Sequence, residues 1–340
     1  MAGRSVDDYR APLFVAWQLT NRCRAHCIAC CEESGPDRAW GDELRREEAL
    51  EVARAIAAFG IPYVAFGGGE PLGVPFCWEI FAILSEAGVA LKLETDGSHI
   101  DEAAAGRLAA LRMECIQVSV DGATAQTHAR MRPGLDFASA IAAIERLAAR
   151  GLAPQMVFVP SRFNLHEIVP AFEMAERLGC GAFVTGPLMR IGRAAAGWNE
   201  IACDDAAWRE AADALRARAA TLPGIALSIY PWDIVEEMER RLASPQAMLL
   251  VVPNGKVKLL NALPFAPADL RRQSVAEAWD AYRRAWRAPE VREFVAGCRA
   301  RPQLLAHANE TWPMGRGRSG TIGRYGEHPE MPAITRGDDR

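Results

Sequence analysis

The chain is 340 residues long, enough for two domains or one large fold with an appendage, and long enough to bury a core without disulfide or metal staples. Half of its residues are hydrophobic and 24% are charged, which excludes a disordered or fibrous chain. The formal net charge of −4 gives no sign of a polyanion partner, so no nucleic acid is expected.

A short N-terminal segment, residues 1–12, precedes the first regular element. Residues 11–17 are apolar but too short for a signal core, and no small-residue cleavage site follows. No apolar run approaches the roughly 18 residues of a membrane span. No membrane partner and a cytoplasmic location are therefore expected. In that setting nine cysteines point to metal or redox chemistry before structural disulfides.

Strands are expected at 14–19, 63–66, 90–94, 115–120, 155–159 and 182–185, separated by helices near 43–59, 75–87, 101–111, 136–150 and 165–178 and followed by one at 204–220. Near-continuous apolar strands alternating with helices predict an α/β fold with a parallel sheet covered on both faces. Six such units fit a partial barrel or a doubly wound sheet, with ligand loops at the carboxyl ends of the strands. After about 225 the pattern changes. Residues 248–260 read as a hairpin turning at Asn254-Gly255, and 274–297 as one or two helices. Residues 315–340 are rich in Gly, Pro and charge and are expected to be mobile.

The strongest local signal directly follows the first strand: Cys23-Arg24-Ala25-His26-Cys27-Ile28-Ala29-Cys30, a C-x3-C-x2-C spacing. Three thiolates within eight residues can wrap one face of a cluster and leave a fourth metal position open to a ligand. Taken alone, the segment leaves three readings: an iron–sulfur cluster, a zinc site completed by Cys31 or His26, or structural or redox cysteines. Other motifs follow at successive strand ends: Gly67-Gly68-Gly69-Glu70-Pro71, Thr95-Asp96-Gly97, Ser119-Val120-Asp121-Gly122 with Arg132 beyond, then Asn164, then Gly192-Arg193-Ala194. Taken singly they have plain structural readings: tight turns, a carboxylate at a helix start, solvated arginines. His26 and His128 read as surface residues. Cys77, Cys115 and Cys180 read as small buried hydrophobes.

In this order over about residues 13–200, the series resembles the radical S-adenosylmethionine (radical SAM) superfamily. The resemblance implies a partial (β/α)6 barrel over 13–225, one [4Fe–4S] cluster on Cys23, Cys27 and Cys30, and S-adenosylmethionine on its open iron. It further implies that Ala29, Gly68, Gly69, Glu70, Thr95, Asp96, Ser119, Asp121 and Arg132 contact that cofactor. Glu70 would receive its amino group, Arg132 its carboxylate, and Ser119 and Asp121 its ribose. Residues 226–314 resemble the SPASM/twitch extension, a small α+β appendage, through Pro253-Asn254-Gly255-Lys256-Val257, the stretch from Ala268 through Ser274 to Trp279, and Gly297-Cys298-Arg299. Leu259, Leu260 and Asn261 stand where the family carries cysteine, so no auxiliary cluster is expected. Ala29 replaces the usual aromatic residue, Arg24 the frequent asparagine, and Cys31 is an extra cysteine.

The expected function is reductive cleavage of S-adenosylmethionine to a 5′-deoxyadenosyl radical. The radical would abstract a hydrogen atom from a peptide, a peptide-derived cofactor or another natural-product intermediate, with a redox-neutral outcome. Cys298, Cys203 and Cys31 are candidate hydrogen donors. The electron donor implied is a flavodoxin or ferredoxin. The alternatives are tetrapyrrole or nucleoside-sugar modification, and a non-catalytic iron–sulfur or zinc-binding scaffold.

Overall fold

The computed structural model describes residues 6–314; the tail expected to be mobile lies outside the described residues. Seven strands come first: β1 (Phe14–Thr20), β2 (Tyr63–Gly68), β3 (Ala90–Thr95), β4 (Met113–Ser119), β5 (Gln155–Val157), β6 (Ala182–Thr185) and β7 (Ala226–Ile229). Between them run α1 (Arg46–Phe59), α2 (Cys77–Glu86), α3 (Glu102–Ala110), α4 (Ala125–Met131), α5 (Phe137–Ala148), α6 (Ile168–Arg177), α7 (Gly192–Ala196), α8 (Trp198–Ile201) and α9 (Asp205–Ala219). The remainder comprises α10 (Ile234–Ala243), β8 (Met248–Val251), β9 (Lys256–Lys258), β10 (Phe265–Ala266), β11 (Ala268–Asp269), α11 (Val275–Ala285), α12 (Pro289–Ala300) and β12 (Trp312–Pro313).

One ten-stranded sheet has the order β11-β9-β8-β1-β2-β3-β4-β5-β6-β7, and β10 pairs β12 separately. All pairings from β8 through β1 to β7 are parallel; β9 and β11 continue the sheet antiparallel. Successive side chains on a strand point to opposite faces. On β1, Val15, Trp17 and Leu19 are buried in the apolar core, whereas Phe14, Ala16 and Gln18 line an inner cavity. β3 divides the same way: Leu91 and Leu93 are fully buried, and Lys92 and Glu94 face the cavity. The sheet is thus a curled partial barrel, apolar on its outer face and mixed on its inner one, rather than apolar on both faces. Trp17, Phe66 and Phe81 carry the packing between sheet and α2, with ring centroids 6.0 and 4.6 Å apart. Each such buried aromatic contributes on the order of 2–3 kcal/mol.

The six expected strands are present, and β7 and β8 extend them to eight parallel strands, with β9 and β11 continuing antiparallel. β7, Ala-Leu-Ser-Ile, escaped the sequence reading: it is short, Ser228 interrupts its apolar stretch, and none of its four residues is buried. β8 is the first strand of the expected hairpin, with Gly255 at the turn in the left-handed region (φ 79°). It also pairs β1 in parallel, a contact between distant segments that no local pattern announces. β5 stops at Val157, short of the expected 159, and the Val159 N–H donates instead to Asp121 Oδ1 (2.8 Å).

Candidate cofactor site

The cysteine loop leaves β1 and is pinned at several points by backbone bonds. Cys23 N–H donates to Gly35 O (3.0 Å), His26 N–H to Pro133 O (2.8 Å) and Ile28 N–H to Met131 O (3.0 Å). Arg193, in α7, closes the loop from the far side. Its backbone N–H donates to Cys30 O (3.0 Å), its Nε to Cys27 O (2.9 Å), and its Nη2 to Ser34 O. This half-buried residue is therefore a clamp and not a solvated charge. Gly192 precedes it at φ 55°, and a Cβ there would lie 2.3 Å from Cys31 O. Cys23, Cys27 and Cys30 are all free and half-exposed. Burial pushes Cys23 up to about 12 and Cys27 in the same direction, so as bare thiols they stay protonated. Among the described residues, no set of three or more His, Cys, Asp or Glu side chains is placed to hold a single metal ion. Ala29 packs beside a small apolar group of Leu188, Ala194 and Ile201.

Gly68 and Gly69 end β2. A Cβ on Gly68 would lie 2.6 Å from Thr20 O, and one on Gly69 only 2.0 Å from Arg22 O. Their small size lets β2 cross the start of the cysteine loop: Gly69 N–H donates to Thr20 O (2.7 Å) and Glu70 N–H to Arg22 O (3.0 Å). Glu70 is buried, and its carboxylate accepts from Leu72 N (3.0 Å), Thr95 Oγ1 (2.9 Å) and Asp96 N (2.8 Å). Burial and the neighbouring Asp96 push it up to about 8. Asp96 Oδ1 accepts from Ser98 N (2.7 Å), whereas Asp96 Oδ2 is buried without a hydrogen-bond partner. Two buried carboxyl groups with an unmatched oxygen form a place for a cation.

Past β4, Asp121 receives Arg132 Nε (2.7 Å) on Oδ2. Asn164 Nδ2 bridges Asp121 O (3.1 Å) and Val159 O (2.9 Å), tying this strand end to the next. Arg132 Nη1 stands 3.8 Å from Cys27 Sγ, so the guanidinium joins the Asp121 side to the cysteine loop. It is held in an ion pair rather than solvated. His128, expected at the surface, is fully buried; its Nδ1 accepts from Asp121 N (3.3 Å), and burial with Arg132 nearby lowers it to about 4. Ser119, at the end of β4, is half-buried.

Residues 17–175 match the model of the Radical SAM superfamily. An AdoMet-dependent heme synthase of Methanosarcina barkeri is 30% identical over 325 residues, covering 86% of this chain and 92% of that protein. The chain belongs to the radical SAM superfamily. The mycofactocin maturase MftC of Mycobacterium ulcerans is 33% identical over 192 residues, 56% of this chain. There the match spans about half, 51%, of the relative's length. Streptococcus suis SuiB bound to S-adenosylmethionine shares the fold with a TM-score of 0.66 at 12% identity, over 79% of this chain and 66% of that one. The partial barrel described above is thus the radical SAM fold.

Inside this radical SAM barrel lies a cavity of about 490 Å³. Gln18, Glu32, Gly67, Gly68 and Glu94 border it at the carboxyl ends of the strands; Tyr230, Glu237 and Arg241 border it beside α10. Glu94 pairs with Lys92 (2.7 Å) and Glu237 with Arg241 (2.6 Å). Apart from Gly67 and Gly68, none of these residues stood out in the sequence, because inward positions come from strands far apart in the chain. Cys203 and Cys298 line a different cavity, of about 260 Å³, which shares only Ile234 with the lumen. Cys31 directly follows Cys30 in the cysteine loop, and its carbonyl accepts from Asn309 Nδ2 (2.9 Å). Cys77 and Cys180 are buried as expected, and Cys115 is half-buried.

Proposed function

We propose that this chain is a radical SAM enzyme acting on a peptide or peptide-derived substrate. The observation that carries the reading is the convergence at the carboxyl ends of β1–β4. Three free thiols, a buried carboxyl pair and the Asp121–Arg132 ion pair meet there. A mere cluster carrier would not need the last two. Three thiols in one loop, not drawn together on a single ion, fit a [4Fe–4S] cluster with one open iron better than a zinc site. With that cluster, S-adenosylmethionine would supply radical chemistry for hydrogen-atom abstraction.

The chain's own residues bind and orient. Asp96 Oδ2, unpartnered beside Glu70, accepts from the cofactor's ammonium group, and Glu70 fixes the Thr95–Asp96 backbone. Arg132, held by Asp121, turns its remaining N–H groups to the carboxylate. Ala29 offers the adenine a small apolar contact, and Ser119 faces the ribose. Residues 13–225 form the cofactor-binding barrel and 226–314 its cover. That cover holds no second cluster, since Leu259, Leu260 and Asn261 replace the family's cysteines. Without an auxiliary electron acceptor, the outcome is redox-neutral. Of the three candidate hydrogen donors, Cys31 borders the cluster loop, whereas Cys203 and Cys298 do not line the lumen.

The lumen favours a peptide over a tetrapyrrole. Its two cations, Lys92 and Arg241, are already engaged by Glu94 and Glu237, and Glu32 is the third carboxylate on its wall. That balance suits amide and ammonium donors and disfavours a macrocycle carrying several carboxylates. The heme synthase relative supports the second reading. The test is anaerobic turnover of reconstituted protein with S-adenosylmethionine and dithionite, quantifying 5′-deoxyadenosine. Wild type is expected to form it and Cys30→Ala not. Stimulation by a peptide encoded beside the gene would support the first substrate class, and stimulation by an iron porphyrin the second.

A further inference from the structure

The lumen holds a buried acceptor that the cofactor-binding reading leaves unused. Strand register sorts its inward residues into levels. Ala16, Ala65 and Lys92 share one level; two residues further along each strand, Gln18, Gly67 and Glu94 form the next, toward the carboxyl ends. Phe14 and Met248 narrow the level beneath, whereas Ala16 and Ala65 leave room in the middle one. α10 runs back from the carboxyl end of β7 to the amino end of β8, so Ile234, Glu237 and Arg241 step down the wall that this helix supplies. Glu237 Oε1 takes Arg241 Nε (2.6 Å), but Oε2 is buried with no hydrogen-bond partner. The Glu237 side chain is 8% exposed, against 51% for Glu94, whose second oxygen water can satisfy. Tyr230 stands beside the pair, its hydroxyl pushed up by burial and by this carboxylate, yet it makes no hydrogen bond to Oε2. Lys92 is held by Glu94, and Lys258, behind Glu32, is spent on Asn261 O and Ala308 O. Among the described residues, then, no donor answers Glu237 Oε2. A buried carboxylate oxygen without a partner costs stability and marks the place of a ligand's donor.

We propose that Glu237 selects the substrate, its Oε2 receiving the protonated amine or guanidine that ends a flexible arm of a peptide, an inference that rests on the peptide reading of the lumen. The arm passes Gln18 and Glu94 and lies in the room beside Ala16 and Ala65. A buried carboxylate oxygen holds a charged donor more strongly than a neutral amide, and a substrate carboxylate there would meet Glu237 unpaired. Glu237 is a specificity residue and takes no part in bond breaking. Anchoring the arm below the carboxyl ends of the strands fixes how deep the peptide sits, and so which of its carbons faces the cofactor.

The test uses the reconstituted holoenzyme with S-adenosylmethionine, and n-butylguanidinium as probe. Pentanamide is its neutral counterpart and pentanoate its anionic one. Titration followed by the NMR signals of the probe gives dissociation constants, a readout independent of turnover. Wild type is expected to bind the cation with a dissociation constant on the order of 1 mM, the amide about fivefold or more weaker, and the anion more weakly still. Glu237→Gln keeps the shape and an acceptor for Arg241. It is expected to weaken the cation about fivefold or more and to erase the preference for cation over amide, which a merely structural role would not do. Ala65→Leu fills the middle level from the β2 side and should weaken cation and amide alike; it keeps the test decisive should Glu237→Gln lose iron. Equal binding of cation and amide by wild type, no cation binding at about 20 mM, or either variant holding the cation within about twofold of wild type overturns the proposal. Wild type that prefers the cation but forms no 5′-deoxyadenosine with dithionite counts against the enzyme reading and leaves this assignment standing. Wild type that forms it without preferring the cation overturns this assignment alone.

Discussion

Glu70 and Asp96 place two carboxyl groups side by side in a buried setting, and the consequence for pH can be signed. Burial and the Asp96 charge raise Glu70 from the usual carboxylate range to about 8. A carboxyl raised on folding binds a proton in the native state that the unfolded state lacks, so its contribution to stability is present at low pH and declines as pH rises toward 8. Denaturant titration of the metal-free protein is expected to show this decline, at up to about 1.4 kcal/mol per pH unit for one proton. Asp96→Asn removes the neighbouring charge and should flatten the curve; an unchanged slope would show that Asp96 does not set it. Arg132→Lys keeps the charge but loses the planar fork that pairs with Asp121 and is proposed to receive the cofactor's carboxylate. It is expected to raise the dissociation constant for S-adenosylmethionine about tenfold, or ~1.4 kcal/mol, with iron content intact. Equilibrium dialysis reads this directly.

At the scale of elements, the site depends on where backbones cross. Gly69 lets β2 cross the cysteine loop, and Gly192 lets the start of α7 lie against Cys30 and Cys31. Adding a Cβ at either position meets carbonyl oxygen that cannot swing away. Gly69→Ala and Gly192→Ala should each cost about 3 kcal/mol or more and lower the iron held per chain. Gly41→Ala, where nothing lies within 4 Å, is the control and should change neither. Colorimetric iron assay and thermal unfolding separate the cases. The sequence motif placed Gly69 at the site but suggested an approach to the ligand. The close approach in the structure is to the protein's own chain, which spacing along one segment does not reveal. The same limit explains what else was legible. β1 to β4 were readable from the apolar residues they turn to the helices. α4 was not, because its buried face is only His128 and Met131. The lumen was not, because Lys92, Tyr230 and Arg241 meet only after the sheet curls.

Over the whole molecule, the residues after 225 are built into the barrel's sheet and core. β8 pairs the whole of Phe14 to Trp17 on β1, the free edge that the first six strands would otherwise expose. One apolar cluster runs without a break from Val15 and Trp17 through Leu249 and Val251 to Trp279 and Tyr282. Trp279 Nε1 reaches back to Tyr9 O (3.2 Å), and Tyr282 stacks on Trp279 at 5.5 Å. At the other end, Asn309 Nδ2 donates to Cys31 O and to Glu33 Oε2 (2.8 Å), so the cover is tied to the cysteine loop itself. A fragment ending at residue 225 would keep every residue proposed to hold the cluster and the cofactor. It would also leave β1 as an unpaired apolar edge, the geometry that drives strand-to-strand association. Such a fragment is expected to aggregate or bind a hydrophobic dye, and to lose the cooperative unfolding of the full chain. A monomeric fragment that melts cooperatively near the full-length temperature would show instead that the barrel folds alone and that the cover serves only the substrate. Asn309→Ala in the full chain isolates the second tie. Fold stability should move by about 1 kcal/mol or less, while the cluster should become more readily lost to a chelator, because the Cys31 end of its loop is no longer held.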